Sequence, residues 1–200
     1  MASAEGPRTL RRHRARRWAL LALLAAGADA SASSVAVYRH REVLTVSLSG
    51  PIVAATAGAV IEALGPPVGG AARLLVSGPG GDYGAMVALA GHLRSRPEIE
   101  VVAAGPCYSA CAIIWASAPR RSLRPEATLG FHGESPCRRC PPGALTGRDA
   151  AVLAMIAETA PRLAQALAGR NPHALSLRDG HLAFFTAQDL AALGETILPR

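Results

Sequence analysis

The stretch Arg73 to Asp82, R-L-L-V-S-G-P-G-G-D, decides the fold class. Arg73 to Ser77 is a short apolar run of the kind that forms a buried strand. The segment G-P-G-G-D at 78–82 then stops that strand and turns the chain. Over roughly residues 83–95, Met86, Val87, Leu89, Ala90 and Leu93 recur at helical spacing, so the turn feeds a helix.

The same grammar repeats outward. Upstream, Val43 to Leu48 (V-L-T-V-S-L) alternates with period two and ends at Gly50-Pro51. Ala54 to Leu64 reads as a helix with Val60, Ile61 and Leu64 on one face, broken by Pro66-Pro67 and Gly69-Gly70. Downstream, Ile99 to Ala104 is the next strand. Cys107 to Ser117 is small and apolar and reads as a buried helix. Thr128 to Phe131 is a short strand ending at His132, followed by a Pro/Gly/Cys loop over 133–145. Thr146 with Asp149 forms an N-cap pair for a helix to about Ala168, with Pro161 as a kink point, and Thr186 to Leu193 is a last short helix. Strands and helices alternate at βαβ spacing, which gives an α/β class with a mostly parallel sheet in a single domain.

Composition narrows the function. The chain has 200 residues, half of them apolar and 18% charged, enough for a sizeable core and too apolar for general disorder. All 21 basic residues are arginine. Without lysine there is no Schiff-base chemistry, no Ser–Lys dyad and no phosphate-loop lysine. Arg8, Arg11, Arg12, Arg14, Arg16 and Arg17 supply most of the net charge of +7. Beyond residue 30 the balance falls to 15 arginines against 12 acids. With only 4% aromatics, no nucleic-acid partner is expected.

That basic cluster precedes a short apolar run, Trp18 to Ala28, and small-residue cleavage sites at A-D-A (28–30) and A-S-A (30–32). Residues 1–32 therefore read as a secretory signal peptide or, if uncleaved, an N-terminal membrane anchor. Residues 33–200 form the folded domain. The chain is expected to be exported to the periplasm, or held at the inner membrane by that segment alone.

Three features fall at strand ends, where open α/β sheets build their sites. The loop S-G-P-G-G at 77–81 can turn backbone N–H groups toward a bound oxygen. In C-Y-S-A-C-A at 107–112, Ser109 falls in the first turn of a helix just past a strand, a place for a nucleophile. In G-F-H-G at 130–133, His132 lies 23 residues further on, at the end of the strand expected beside it. Alone, each has a plain reading: a turn, a packed small residue, a structural histidine. The three in this order point together to an activated hydroxyl.

The succession G-P-I (50–52), L-L-V-S-G-P-G-G (74–81), C-Y-S-A-C-A (107–112), G-F-H (130–132) and F-F-T-A-Q-D-L-A-A-L-G (184–194) resembles the Clp protease proteolytic subunit. It is closer still to exported, periplasmic Clp-protease-like proteins of bacteria. The likeness runs from about Val43 to the end of the sequence. It implies the ClpP/crotonase-like spiral of ββα units and a serine-hydrolase site acting on a peptide or protein. By position, Ser109 would be the nucleophile and His132 the general base. Gly81 and Ala110 would offer the oxyanion-hole N–H groups, with Gly80 shaping the turn. Two departures stand out. Ser77-Gly78 replaces the usual Asn-Ser, and His181-Leu182 stand where the family has its aspartate. Asp179 is the nearest carboxylate and the tentative acid; Asp149 is a poorer candidate. Signal peptide peptidase A, a relative in the wider superfamily, uses a lysine base that this chain lacks.

Cys107 and Cys111 flank Ser109, and Cys137 and Cys140 sit in the loop after His132. In an exported protein the simplest expectation is disulfides, either two local bridges or two cross-links between these segments, and the spacing does not choose the pairing. Free thiols and a four-cysteine zinc site are the alternatives; no metal and no cofactor are assigned. The resemblance implies assembly into rings, partly through a helix at the position of 146–169. Here that segment carries Val152, Met155, Ile156, Leu163 and Leu167, able to pack on a second copy or on its own sheet. A non-catalytic envelope protein using the same fold as a scaffold or binding module is the competing reading, and an acyl-CoA enzyme is a third.

Overall fold

The computed structural model describes residues 32–66, 71–133, 146–169, 182–195 and 197. Among these residues the order is β1 (Ser34–His40), β2 (Val43–Ser49), α1 (Ala54–Leu64), β3 (Ala72–Gly78), α2 (Tyr83–Arg94), β4 (Ile99–Tyr108), α3 (Ala110–Ala116), β5 (Arg120–Leu123), β6 (Leu129–Phe131), α4 (Gly147–Ala157), α5 (Pro161–Gly169), β7 (Ala183–Phe185) and α6 (Ala187–Leu193). This is a single α/β domain around one mixed sheet ordered β1-β2-β3-β4-β6-β7, with β5 also on β4. The β2–β3, β3–β4, β4–β5 and β4–β6 pairs are parallel; the outermost pairs, β1–β2 and β6–β7, are antiparallel.

Val46, Leu48, Leu74 and Val76 are buried, while Ser47, Leu75 and Ser77 between them are half-buried, the alternation of strands covered mainly on one face. β4 is different. Its residues Ile99 to Ala103 are buried without a break, as in a central parallel strand. The helices pack on this sheet and on each other in chain order. Val60 and Leu64 of α1, and Met86, Leu89, Ala90 and Leu93 of α2, lie in the core. Each fully buried aliphatic side chain contributes about 1.5–3 kcal/mol.

β4 changes partner midway. Glu100 to Ala103 pair with β5, whereas Cys107 and Tyr108 pair with β6. The switch falls where the β3–β4 register slips: Val76 faces Ala103, but Gly78 already faces Cys107. Ala104, Gly105 and Pro106 thus oppose Ser77 alone. Pro106 has no N–H to give a ladder and is exposed at this irregularity. The slip carries β4 beyond its neighbour's turn and delivers Ser109 beside the end of β6.

Four sequence readings need correction. Cys107 and Tyr108 belong to β4, so the helix begins at Ala110 and Ser109 is its N-cap rather than part of its first turn. Val87, expected on the core face of α2, is exposed. The helix read from 146 to about 168 is two, broken over Glu158–Ala160 immediately before Pro161. The strands β1, β5 and β7 were not anticipated. The Thr146–Asp149 cap is as expected: Thr146 Oγ1 accepts from Asp149 N at 3.0 Å. Of the apolar residues in 146–169, Met155, Ile156, Leu163 and Leu167 are buried in the chain's own core and Val152 is half-buried.

A buried ion pair ties the far end of the domain together. Arg121 donates to Glu195 at 3.0 Å and to the carbonyls of Ala118 and Thr159, and its guanidinium lies 5.4 Å from the Trp115 ring centre. Burial pulls the Arg121 pKa down, and the Glu195 carboxylate acts against that shift. Glu195 also accepts from Leu163 N at 2.6 Å.

Candidate active site

Ser109 sits between β4 and α3 with φ 54° and ψ −124°. A serine there is strained, because Cβ crowds the backbone in a region that glycine occupies freely; the cost is about 1–3 kcal/mol. Its N–H donates to Gly130 O at 2.7 Å, and its carbonyl accepts from Ile113 N at 3.0 Å. The side chain makes no cap bond to the helix. The half-buried hydroxyl is therefore not consumed by the turn that strains it.

His132 follows β6, which runs parallel beside the end of β4. Its Nδ1 lies 2.8 Å from Gly133 O. A carbonyl only accepts, so the bonded nitrogen is Nδ1–H, and the neutral ring keeps its lone pair on Nε2. That is the tautomer a proton acceptor needs.

Two N–H groups complete the cluster. Ala110 opens α3, and a first-turn N–H has no acceptor inside its own helix. Gly81 forms a parallel bridge with Ile52 in which Ile52 N donates to Gly80 O at 2.7 Å and Asp82 N donates to Ile52 O at 2.8 Å. A parallel bridge of that pattern leaves the N–H of the middle residue pointing away from Ile52. Gly80 is needed for closeness. At φ +98° it lies against the serine turn, where an added Cβ would meet Ser109 Cβ at 2.6 Å and Ala110 N at 2.8 Å.

These groups share one cavity of about 590 Å³ whose wall includes Ser109, His132, Gly81 and Ala110. Among the described residues the Ser109 hydroxyl has no hydrogen-bond partner, His132 included, and no carboxylate bonds the ring. Unliganded sites often hold such pairs beyond bonding distance. Asp82 and Asp149 also line the cavity, but each carboxylate serves a helix cap: Asp82 accepts from Ala85 N at 2.7 Å, and Asp149 accepts from Thr146 Oγ1 at 2.9 Å. Asp179 lies outside the described residues, as do Cys137, Cys140 and, but for Ala32, the segment 1–32.

Cys107 and Cys111 form a disulfide with Cα atoms 5.2 Å apart. The pairing is thus local, and these two cysteines do not cross-link to the loop after His132. Both are buried.

The far wall was not read from the sequence. It is built by Tyr83 and Met86 of α2, Ile113 of α3, and Arg148 and Val152 of α4. The Arg148 guanidinium stands 4.8 Å from the Tyr83 ring centre. The spacings Tyr83–Met86 and Arg148–Val152 each mark one helix face, but only the packing of α4 against α3 turns both faces to one space. No helix among the described residues is long and apolar enough to cross a membrane. No family model matches the chain, and no curated protein matches its sequence.

Proposed function

We infer that this chain is an exported serine hydrolase of the Clp-protease-like type, acting on a peptide bond. Ser109 Oγ attacks the carbonyl carbon while His132 Nε2 takes its proton. The Gly81 and Ala110 N–H groups hold the oxygen that becomes negative. The tetrahedral intermediate collapses, the amine leaves with the proton returned by His132, and water then releases the acyl group from Ser109 by the same steps.

One observation carries the reading: a non-glycine residue at positive φ, at the wall of a cavity it shares with a histidine and with Gly81 and Ala110, whose N–H groups have no acceptor among the described residues. A strained strand-to-helix turn that exposes a serine is how other hydrolases present their nucleophile. Strain of this kind persists where the surroundings over-determine it, and it clusters at functional sites. The parallel succession β2-α1-β3-α2-β4-α3 supports the ClpP/crotonase-like spiral. The N-terminal basic and apolar segments and the disulfide support export.

The test is labelling of the mature protein with a fluorophosphonate probe. Wild type is expected to label, Ser109→Ala not at all, and His132→Ala at a rate lower by a factor on the order of 10³ or more. The absence of any carboxylate on the His132 ring among the described residues favours the second reading, a non-catalytic scaffold of the same fold. Wild type that stays unlabelled, or label that persists in Ser109→Ala, decides for the scaffold.

A further inference from the structure

The bridge between Cys107 and Cys111 takes no part in that chemistry, yet it brackets the nucleophile. Cys107 is the next-to-last residue of β4 and Cys111 the second of α3. Only Tyr108, Ser109 and Ala110 lie between them. Four residue steps of extended chain span about 13 Å. The two Cα atoms are 5.2 Å apart, so the chain must reverse within those three residues. Ser109 is the one residue among them with positive φ.

Both ends of the segment are fixed. Cys107 N donates to Thr128 O at 2.9 Å and the residue pairs with Leu129 of β6. Cys111 is sealed in the core at 1% exposure. The bonds at Ser109 itself hold its N–H to Gly130 and its carbonyl to Ile113, which anchors the entry and exit of the turn. The disulfide adds a direct tie across it.

We propose that the Cys107–Cys111 disulfide is the positioning element of this site: it holds Ser109 in its strained positive-φ conformation and so keeps the serine hydroxyl and the Ala110 N–H aimed into the cavity. The proposal rests on the hydrolase reading above. The ψ angle of Ser109 sets the direction of the Ala110 N–H. A turn free to relax at Ser109 therefore moves the nucleophile and one oxyanion donor together. Without the tie, relaxed turn conformers compete, and the aimed geometry becomes a minor one. The bridge is buried, closed to attack by a thiolate from solution unless the fold opens. It acts as a fixture, and the cysteines themselves have to be replaced to test it.

The experiment compares wild type with Cys107→Ala/Cys111→Ala in the full chain, well below both melting temperatures. The maximal rate of fluorophosphonate inactivation is expected to fall roughly 10- to 100-fold, with the half-saturating probe concentration unchanged. The φ angle of Ser109, read from a crystal structure of the variant, is expected to turn negative. Ile114→Val, a core truncation in the same helix, lowers stability and is expected to label at the wild-type rate. If the double-alanine chain does not fold, Cys107→Val/Cys111→Ala refills part of the lost volume and enters the same assay. A variant that labels like wild type overturns the proposal and leaves the hydrolase reading standing. So does an Ile114→Val chain slowed as much as the cysteine variant. Wild type that never labels sinks the hydrolase reading instead, and an unchanged Ser109 φ in the variant then overturns the positioning role as well.

Discussion

β3 and β4 are parallel neighbours, and each ends in a turn that starts a helix, yet the two turns are built from opposite materials. The turn after β3 places Gly78, Gly80 and Gly81 at φ +141°, +98° and +155°, where glycine suffers no Cβ clash. Asp82 then caps α2 through Ala85 N. The turn after β4 has a single residue at positive φ, and it is a serine. No side chain caps α3, and a disulfide straddles the bend. Where only backbone N–H groups have to be presented, glycine removes the strain. Where a side chain has to be presented, the strain is kept and clamped. The two turns also depend on each other, because the glycine turn lies against the serine turn at Gly80.

The comparison breaks most sharply if strain is added to the relaxed turn. Gly80→Ala puts a Cβ at positive φ against Ser109 Cβ and the Tyr108 carbonyl, and it is expected to cost about 3 kcal/mol or more in urea unfolding. Removing Ser109 Cβ in Gly80→Ala/Ser109→Gly should recover part of that loss, whereas strictly additive costs would show that the turns are independent. The converse change relaxes the strained turn. Ser109→Gly and Ser109→Ala both lack the hydroxyl, but only glycine suits φ 54°. Ser109→Gly is expected to be the more stable by about 1 kcal/mol after its greater unfolded-chain entropy is counted. Equal melting temperatures would limit the stored strain to the size of glycine's entropy cost, about 0.5–1 kcal/mol. The smallest effect belongs to the cap: Asp82→Ala should lower stability by about 0.7 kcal/mol, near the low end for an exposed N-cap.

Much of this architecture was legible before the coordinates. The alternation in Val43–Leu48, the glycine run after Ser77 and the Thr146–Asp149 cap are local patterns, and local physics placed them correctly. What escaped depends on partners far away in sequence. β5, R-R-S-L, reads as polar; its Arg121 is buried because Glu195 meets it 74 residues later. β7 has three residues, too few for a period, and is held by pairing with β6. β4 runs past Gly105-Pro106, residues that normally end a strand, because the register slip there gives it a new neighbour. At the site, the motifs singled out Ser109, His132, Gly80, Gly81 and Ala110, which do line or shape one cavity. Of the α4 wall the sequence pointed only to Asp149; that Arg148 and Val152 face the same cavity was not legible, since nothing local says which helix start faces which strand end. The positive φ of Ser109 was equally hidden: serine gives no conformational signal of its own, and the bend is imposed by its surroundings.

The pair of Arg121 with Glu195 bears on how the molecule is made. A guanidinium left in the interior without its carboxylate carries a penalty of several kcal/mol. The β-sheet up to β5 is complete in sequence long before Glu195 is synthesised. A chain ending at α5 would therefore lack the carboxylate that offsets the buried Arg121 guanidinium. The charge on Arg121 is offset once the segment just past α6 brings Glu195 into the core.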